Sequence, residues 1–180
     1  MDDIRYISRF DEEYPPKLNN IPGAPSGIYV KGKLPDPDIP TVAIVGSRNC
    51  TEYGRAMAEY FAAALASAGV QIISGMARGI DGIAQKAAFD TGASTYGVLG
   101  CGVDVIYPKE NEELFKKVIT NGGLIAEVAP GSQALKSQFP SRNRIISGLS
   151  DILLVVEARV KSGTGITVRF ALDQGKDIFA

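Results

Sequence analysis

The chain contains no histidine, which removes Ser-His, Cys-His and His-metal chemistry because each needs an imidazole. A reactive or binding site must therefore rest on carboxylates, arginine, lysine or hydroxyls. The cations are unevenly placed. Between Val128 and Ser150 there are Lys136, Arg142 and Arg144 with no acidic residue, and between Ala158 and Gly165 there are Arg159 and Lys161, again with no acid. Arg48 follows Gly46 and Ser47 at the end of a β-branched run, and Arg78 stands in Gly75-Met76-Ala77-Arg78-Gly79-Ile80-Asp81. The formal net charge is -1, so the field of the whole protein does not attract polyanions and only a local concentration of cations can. That grouping predicts an anionic ligand.

The segment Lys136-Ser137-Gln138-Phe139-Pro140-Ser141-Arg142-Asn143-Arg144 sets an aromatic ring between cations. Single-stranded nucleic acid is commonly held by such a set, with cations following phosphates and an aromatic face taking a base. Pro140 is expected to keep the backbone extended there, and Phe139 has the alternative of a buried anchor for the loop. Glycine turns supply further phosphate candidates: Gly46 with its following amides, Gly75 with Arg78, and Ser162-Gly163-Thr164 ahead of a helix. Specific cofactor patterns are missing. The first turn reads Gly-Ser-Arg-Asn-Cys-Thr-Glu-Tyr-Gly rather than Gly-x-Gly-x-x-Gly, and no Walker sequence is present, so neither a dinucleotide nor P-loop ATP chemistry is expected. Cys50 and Cys101 are lone and far apart, which fits a reducing compartment better than a disulfide framework or a metal centre. No cofactor or metal is expected.

These residues need elements to position them. From Thr41 onward the pattern alternates strand, loop and helix: strands at Val42–Val45, Gln71–Ser74, Thr95–Leu99, Leu124–Val128, Ile152–Val156 and Asp177–Ala180, with helices between. The first helix starts near Tyr53 and repeats Met57, Phe61 and Leu65, which predicts that this face is buried. A long loop from Ala129 should lead into a short helix around Asn143 to Leu149. Strands alternating with helices imply right-handed βαβ units, hence an α/β, Rossmann-like, doubly wound and mostly parallel sheet with helices on both faces. The loops after the strands then share one edge, where ligands bind. Residues 1–40 hold seven of the ten prolines and are expected to form a lead-in packing on the 41–180 domain, with one short strand at Gly27 to Lys31. At 180 residues the chain can bury roughly 70% of its unfolded surface in one core. No apolar run approaches the length of a membrane span and the first residues are polar and acidic, so a cytoplasmic protein without membrane attachment is expected.

Several strings together resemble the DNA-processing protein A family (DprA, also called Smf): Gly46-Ser47-Arg48, Ser74 to Asp81, Gly97 to Pro108, Phe139 to Ser150, and Val155-Val156-Glu157-Ala158. The resemblance runs in order from about Tyr14 to the last residue. It implies an extended Rossmann-like domain that binds single-stranded DNA, forms homodimers and helps load the RecA recombinase during natural transformation. Carried over position by position, it implies that Ser47 and Arg48 hold phosphates, Lys136 holds the backbone and Phe139 meets a base. Arg142, Asn143 and Arg144 would complete the groove. Gln85 stands where the family commonly has histidine, and Gly165 where a bulky residue is usual. Many relatives also carry a helical domain before this region and a winged-helix domain after it; this sequence includes neither.

A rival reading is an enzyme acting on nucleotides, because phosphoribohydrolases have a similar Rossmann-like fold. Their Pro-Gly-Gly-x-Gly-Thr-x-x-Glu motif places a reactive glutamate on a helix. The comparable start here, Lys161 to Arg169, has Arg169 where that glutamate would fall. Asp81 and Glu157 remain as carboxylates, and pairing with a nearby arginine is the simpler role for a strand-end acid. No catalytic residue is expected.

Overall fold

A computed structural model of the chain describes residues 4–160 and 162–180. Lys161, one of the expected cations, lies outside the described residues. The strands are β1 (Ile4–Ser8), β2 (Gly27–Gly32), β3 (Thr41–Gly46), β4 (Gln71–Ser74), β5 (Thr95–Leu99), β6 (Gly123–Ala126), β7 (Ile152–Glu157) and β8 (Asp177–Phe179). The helices are α1 (Pro16–Asn19), α2 (Glu52–Ser67), α3 (Ile80–Asp90), α4 (Glu112–Asn121), α5 (Gln138–Leu149) and α6 (Gly163–Asp173). All eight strands form one sheet in the order β1-β2-β6-β5-β4-β3-β7-β8. From β6 to β8 neighbouring strands are parallel, while β1 and β2 add an antiparallel margin. The α/β, Rossmann-like expectation holds.

The central strands read as unbroken apolar runs because both faces are covered. Ala43 and Val45 of β3 point into a core with α1, α5 and α6, containing Leu18, Ile145, Leu149 and Ala171. Val42 and Ile44 point the other way, onto the alanine-lined faces of α2 and α3. A third cluster joins α4, through Leu114, Phe115 and Val118, to β5 and β6.

Two local readings are corrected and a third is extended. The buried stripe of α2 is Gly54, Ala58, Ala62 and Ala66, not Met57, Phe61 and Leu65. Small residues let α2 lie close against Ala84 and Ala88 of α3, and this leaves Phe61 39% exposed. The helix expected at Asn143 begins at Gln138, so Pro140 is helical and not extended. A first turn has no i−4 carbonyl to serve, and proline is tolerated there. The segment before Thr41 packs against the core through Tyr14, Leu18 and Ile21 and also extends the sheet through β1 and β2. Its β1 was not anticipated, although Ile4-Arg5-Tyr6-Ile7-Ser8 is rich in β-formers. This segment is anchored by the fully buried Leu18, by Tyr14, whose hydroxyl donates to the Pro25 carbonyl at 2.8 Å, and by Lys17, 2.8 Å from Asp151. Burial of the Asp151 carboxyl opposes its ionisation, but bonds from Lys17 and from the Thr41 amide and hydroxyl outweigh that and hold its pKa below the usual range.

Candidate nucleic-acid interface

Strand β3 delivers the first turn to the carboxyl edge of the sheet. Gly46 is needed there for close approach, since a Cβ would lie 2.6 Å from Ile80 Cγ1 and 2.9 Å from the Glu157 carbonyl. The turn packs back on its neighbours: the Ser47 amide donates to the Glu157 carbonyl at 2.7 Å, and the Ser47 carbonyl accepts from the Ile80 amide at 3.2 Å. Gly79, at φ 73°, lies directly against Ser47 and Arg48.

Backbone amides were expected to receive the anion at this turn, and those nearest the sheet are already occupied. Buried Asp81 accepts the amides of Gly46 and Gly75, the latter at 3.2 Å. The N-terminus of α2 is taken by Thr51, whose hydroxyl caps the Gly54 amide at 3.0 Å, and by Glu157, whose carboxylate accepts the Thr51 amide at 2.9 Å and hydroxyl at 2.7 Å. The hydroxyl and amide of Thr51 hold the Glu157 carboxyl below its ordinary pKa. Gly46 and Gly75 therefore shape the turns and offer no free amide to a phosphate. What this edge offers a phosphate is side chains together with the N-terminus of α6 at Ser162-Gly163-Thr164, which no side chain caps.

Those side chains surround a cleft of about 460 Å³ between the first turn, α5 and the start of α6. Ser47, Arg48, Lys136, Phe139, Arg142 and Asn143 line it, as do Ser162, Gly163 and Thr164. Arg48 and Lys136 are exposed and Phe139 is half-buried. The Phe139 ring is braced by Gly100, where a Cβ would come within 3.0 Å of it, and by Tyr107, with ring centroids 5.4 Å apart. The guanidinium groups of Arg48 and Arg142 each stand 5.8 Å from the ring centroid. Phe139 is thus both an anchor for α5 and a face open to the cleft.

The remaining expected residues divide. Arg142 is 6% exposed; its Nη1 donates to the carbonyls of Gly75 (3.0 Å) and Val98, and its Nε to Asn143 Oδ1 at 3.1 Å. Burial pulls its pKa down to about 10, opposed by Asp81, so it stays charged at neutral pH. Burial likewise raises the pKa of Asp81, with Arg142 opposing. Arg142 joins the turns after β4 and β5 and reaches the cleft from its floor. Arg144 turns away to bond Glu127 at 2.7 Å and the Gly23 carbonyl at 2.8 Å, so it belongs to the scaffold and not to the groove. Arg78 does not line the cleft and lies 3.6 Å from Glu110. These two expectations are corrected: Arg144 leaves the groove because Glu127 and the Gly23 carbonyl hold it, whereas Arg78 is set apart by its position outside the cleft lining, its exposed contact with Glu110 being weak.

Arg159 and Tyr107 line the cleft and were not among the expected site residues. Arg159 had a signal in the acid-free loop after β7, and Tyr107 in the aromatic at the end of the loop after β5. Gln85, standing where histidine is usual, is fully buried. Its Oε1 accepts the Met76 amide and its Nε2 donates to the Tyr96 carbonyl, both at 3.1 Å. It thereby fixes the turn at Met76, whose φ is 55°. At Gly165 a Cβ would meet nothing within 4 Å.

Fold and cleft together define a Rossmann-like protein with a cationic, aromatic-floored cleft at the carboxyl edge of its parallel strands. The model of the DNA recombination-mediator protein A family matches residues 5–180, and the chain belongs to that family. It is 42% identical over 174 residues to the DNA processing protein DprA of Streptococcus pneumoniae, covering 97% of this chain and 61% of that one. It is also 42% identical over 170 residues to the protein Smf of Escherichia coli K12, covering 94% and 46%. The chain thus spans about half to three fifths of the length of these relatives. Among solved structures, DprA of Streptococcus pneumoniae superposes with a TM-score of 0.91 at 39% identity, over 99% of this chain and 62% of that one. A Helicobacter pylori DNA processing protein A, described for its single-stranded DNA binding mode, gives 0.86 at 30% identity, over 98% and 80%. The molybdenum cofactor carrier protein of Chlamydomonas reinhardtii shares the fold alone, with a TM-score of 0.55 at 22% identity. Among the described residues, no helix is long and apolar enough to cross a membrane.

Proposed function

We propose that this chain binds single-stranded DNA in the carboxyl-edge cleft and works without catalysis, as a homodimer in the cytoplasm that loads a RecA-type recombinase during natural transformation. The observation that carries the binding step is that Arg48, Lys136 and Arg159 line one cleft with Phe139, Arg48 standing over its ring. Cations along a cleft suit phosphates, and a half-buried aromatic face suits an unstacked base. The cleft is a recess between the first turn, α5 and the start of α6, where a flexible strand can enter. Membership of the recombination-mediator family and similarity to the Helicobacter pylori protein support the same ligand. Against hydrolysis stands the chemistry of the cleft: among the described residues, the one carboxylate lining it is Asp81, which is spent on two amides, while Glu157 is spent on Thr51.

Fluorescence anisotropy of labelled oligo-dT, titrated at several salt concentrations, tests the binding step. Expected is a slope of log affinity against log salt that grows by about 0.7 for each phosphate neutralised, with affinity lost in Arg48→Ala and in Phe139→Ala while circular dichroism is unchanged. Full affinity in both variants would overturn the assignment to this cleft. Release of a free base from nucleoside monophosphates would instead favour an enzyme. Light scattering tests the dimer, and the rate of RecA filament growth on coated DNA tests loading.

A further inference from the structure

A second cavity, of about 510 Å³, lies between α2, α3 and the start of α4. Arg48 and Asn49 line both cavities, so the first turn is a shared rim and not a wall between separate sites. The far cavity carries both signs of charge, and their partners decide its character. Its two acids are already engaged by cations that do not line it: Glu110 lies 3.6 Å from Arg78, and Glu113 lies 2.9 Å from Lys116. Its cations are less engaged. Lys117 has no carboxylate within ion-pair distance among the described residues; its Nζ stands 5.7 Å from the Phe89 ring centroid. Arg55 has only a loose contact, 4.0 Å, with the almost fully exposed Glu52. Lys86 is the exception, paired with Asp90. The wall on the α4 side is held in place by Asn111, whose amide donates to the carbonyls of Met76 at 2.8 Å and Ala77 at 3.1 Å. The balance of unneutralised charge in the cavity is positive.

We propose that this second groove takes the following phosphates of the same strand, which crosses the rim at Arg48 and Asn49 and is met beyond it by Arg55 and Lys117. The inference rests on the reading of the first cleft as a single-stranded DNA site. A flexible polyanion leaving that cleft is attracted along any adjoining cationic path, and successive phosphates add their counterion release. The first cleft would then grip a base and the second groove would grip backbone alone, so affinity would rise with strand length beyond what the first cleft can hold.

The test is a ladder of labelled oligo-dT from about 4 to about 12 nucleotides, within the usual range of single-strand site sizes. It compares wild type, the double variant Arg55→Gln/Lys117→Gln, and Lys33→Gln, an exposed cation on neither cavity, as a control. The expected result is that the double variant binds the shortest strand like wild type and loses the gain with length. Its salt slope for the longest strand should be smaller by about 1.4, at about 0.7 per phosphate. Lys33→Gln should follow wild type throughout. Identical length dependence in wild type and double variant would overturn the second groove while leaving the first cleft intact. Absence of wild-type binding at every length would overturn both.

Discussion

Two stretches of this chain look alike in composition and behave differently in the fold. The first turn has one arginine, Arg48, and α5 with its approach has Lys136, Arg142 and Arg144. By charge count α5 is the stronger anion site. In the structure the first turn leaves its arginine exposed over the cleft, whereas α5 commits two of its three cations to the protein itself. Arg142 bridges the turns after β4 and β5, and Arg144 ties α5 to β6 and to the loop at Gly23. Only Lys136 and the Phe139 face remain for a ligand. A cation counts toward binding only if folding has not already given it a partner.

Breaking the scaffold half of this comparison should have the largest effect. Arg142→Ala leaves two buried carbonyls and the buried Asp81 without their partner, and is expected to cost about 3–5 kcal/mol of stability, read from urea unfolding. Arg142→Lys should not restore it, because a point charge cannot meet the two carbonyls, as Nη1 does, and Asn143, as Nε does, at the same time. On the ligand half, Arg48→Ala should leave the urea midpoint unchanged and cost about 1.5–3 kcal/mol in oligo-dT binding, as for a lost charged hydrogen bond, with the salt slope reduced by about 0.7. Phe139→Ala should cost about 1–3 kcal/mol of affinity at an unchanged salt slope, the mark of a lost base stack and not a lost phosphate. The smallest effect separates the two halves most cleanly. Arg144→Ala should lower stability by about 1 kcal/mol while oligo-dT affinity and its salt dependence stay at wild-type values. A drop in slope for that variant would put Arg144 back in the groove and erase the contrast.

The residues before Thr41 and the α2 face show why parts of the fold were hard to read. The strand Ile4–Ser8 lies ahead of the first proline and is too short to show a period of its own; it is fixed by antiparallel pairing with β2. Periodicity located α2, but it cannot say which of two adjacent stripes faces inward when one is alanine and the other is larger and more apolar. The closer approach allowed by alanine decided that question, and Phe61 was left half outside.

The sequence by itself determined the parallel α/β architecture, because doubly buried strands and amphipathic helices have distinct periods that survive without tertiary information. It also determined that the loops after β3, β6 and β7 would bring cations to one edge, since parallel strands end on the same side. Tertiary structure decided which of those groups are free. Asp81 took the amides of the first two turns, Glu157 took the N-terminus of α2, and Glu127 and Glu110 stand beside two of the expected arginines. Each of these contacts joins residues from separate elements, set by packing distances of a few ångströms that no spacing along the chain encodes.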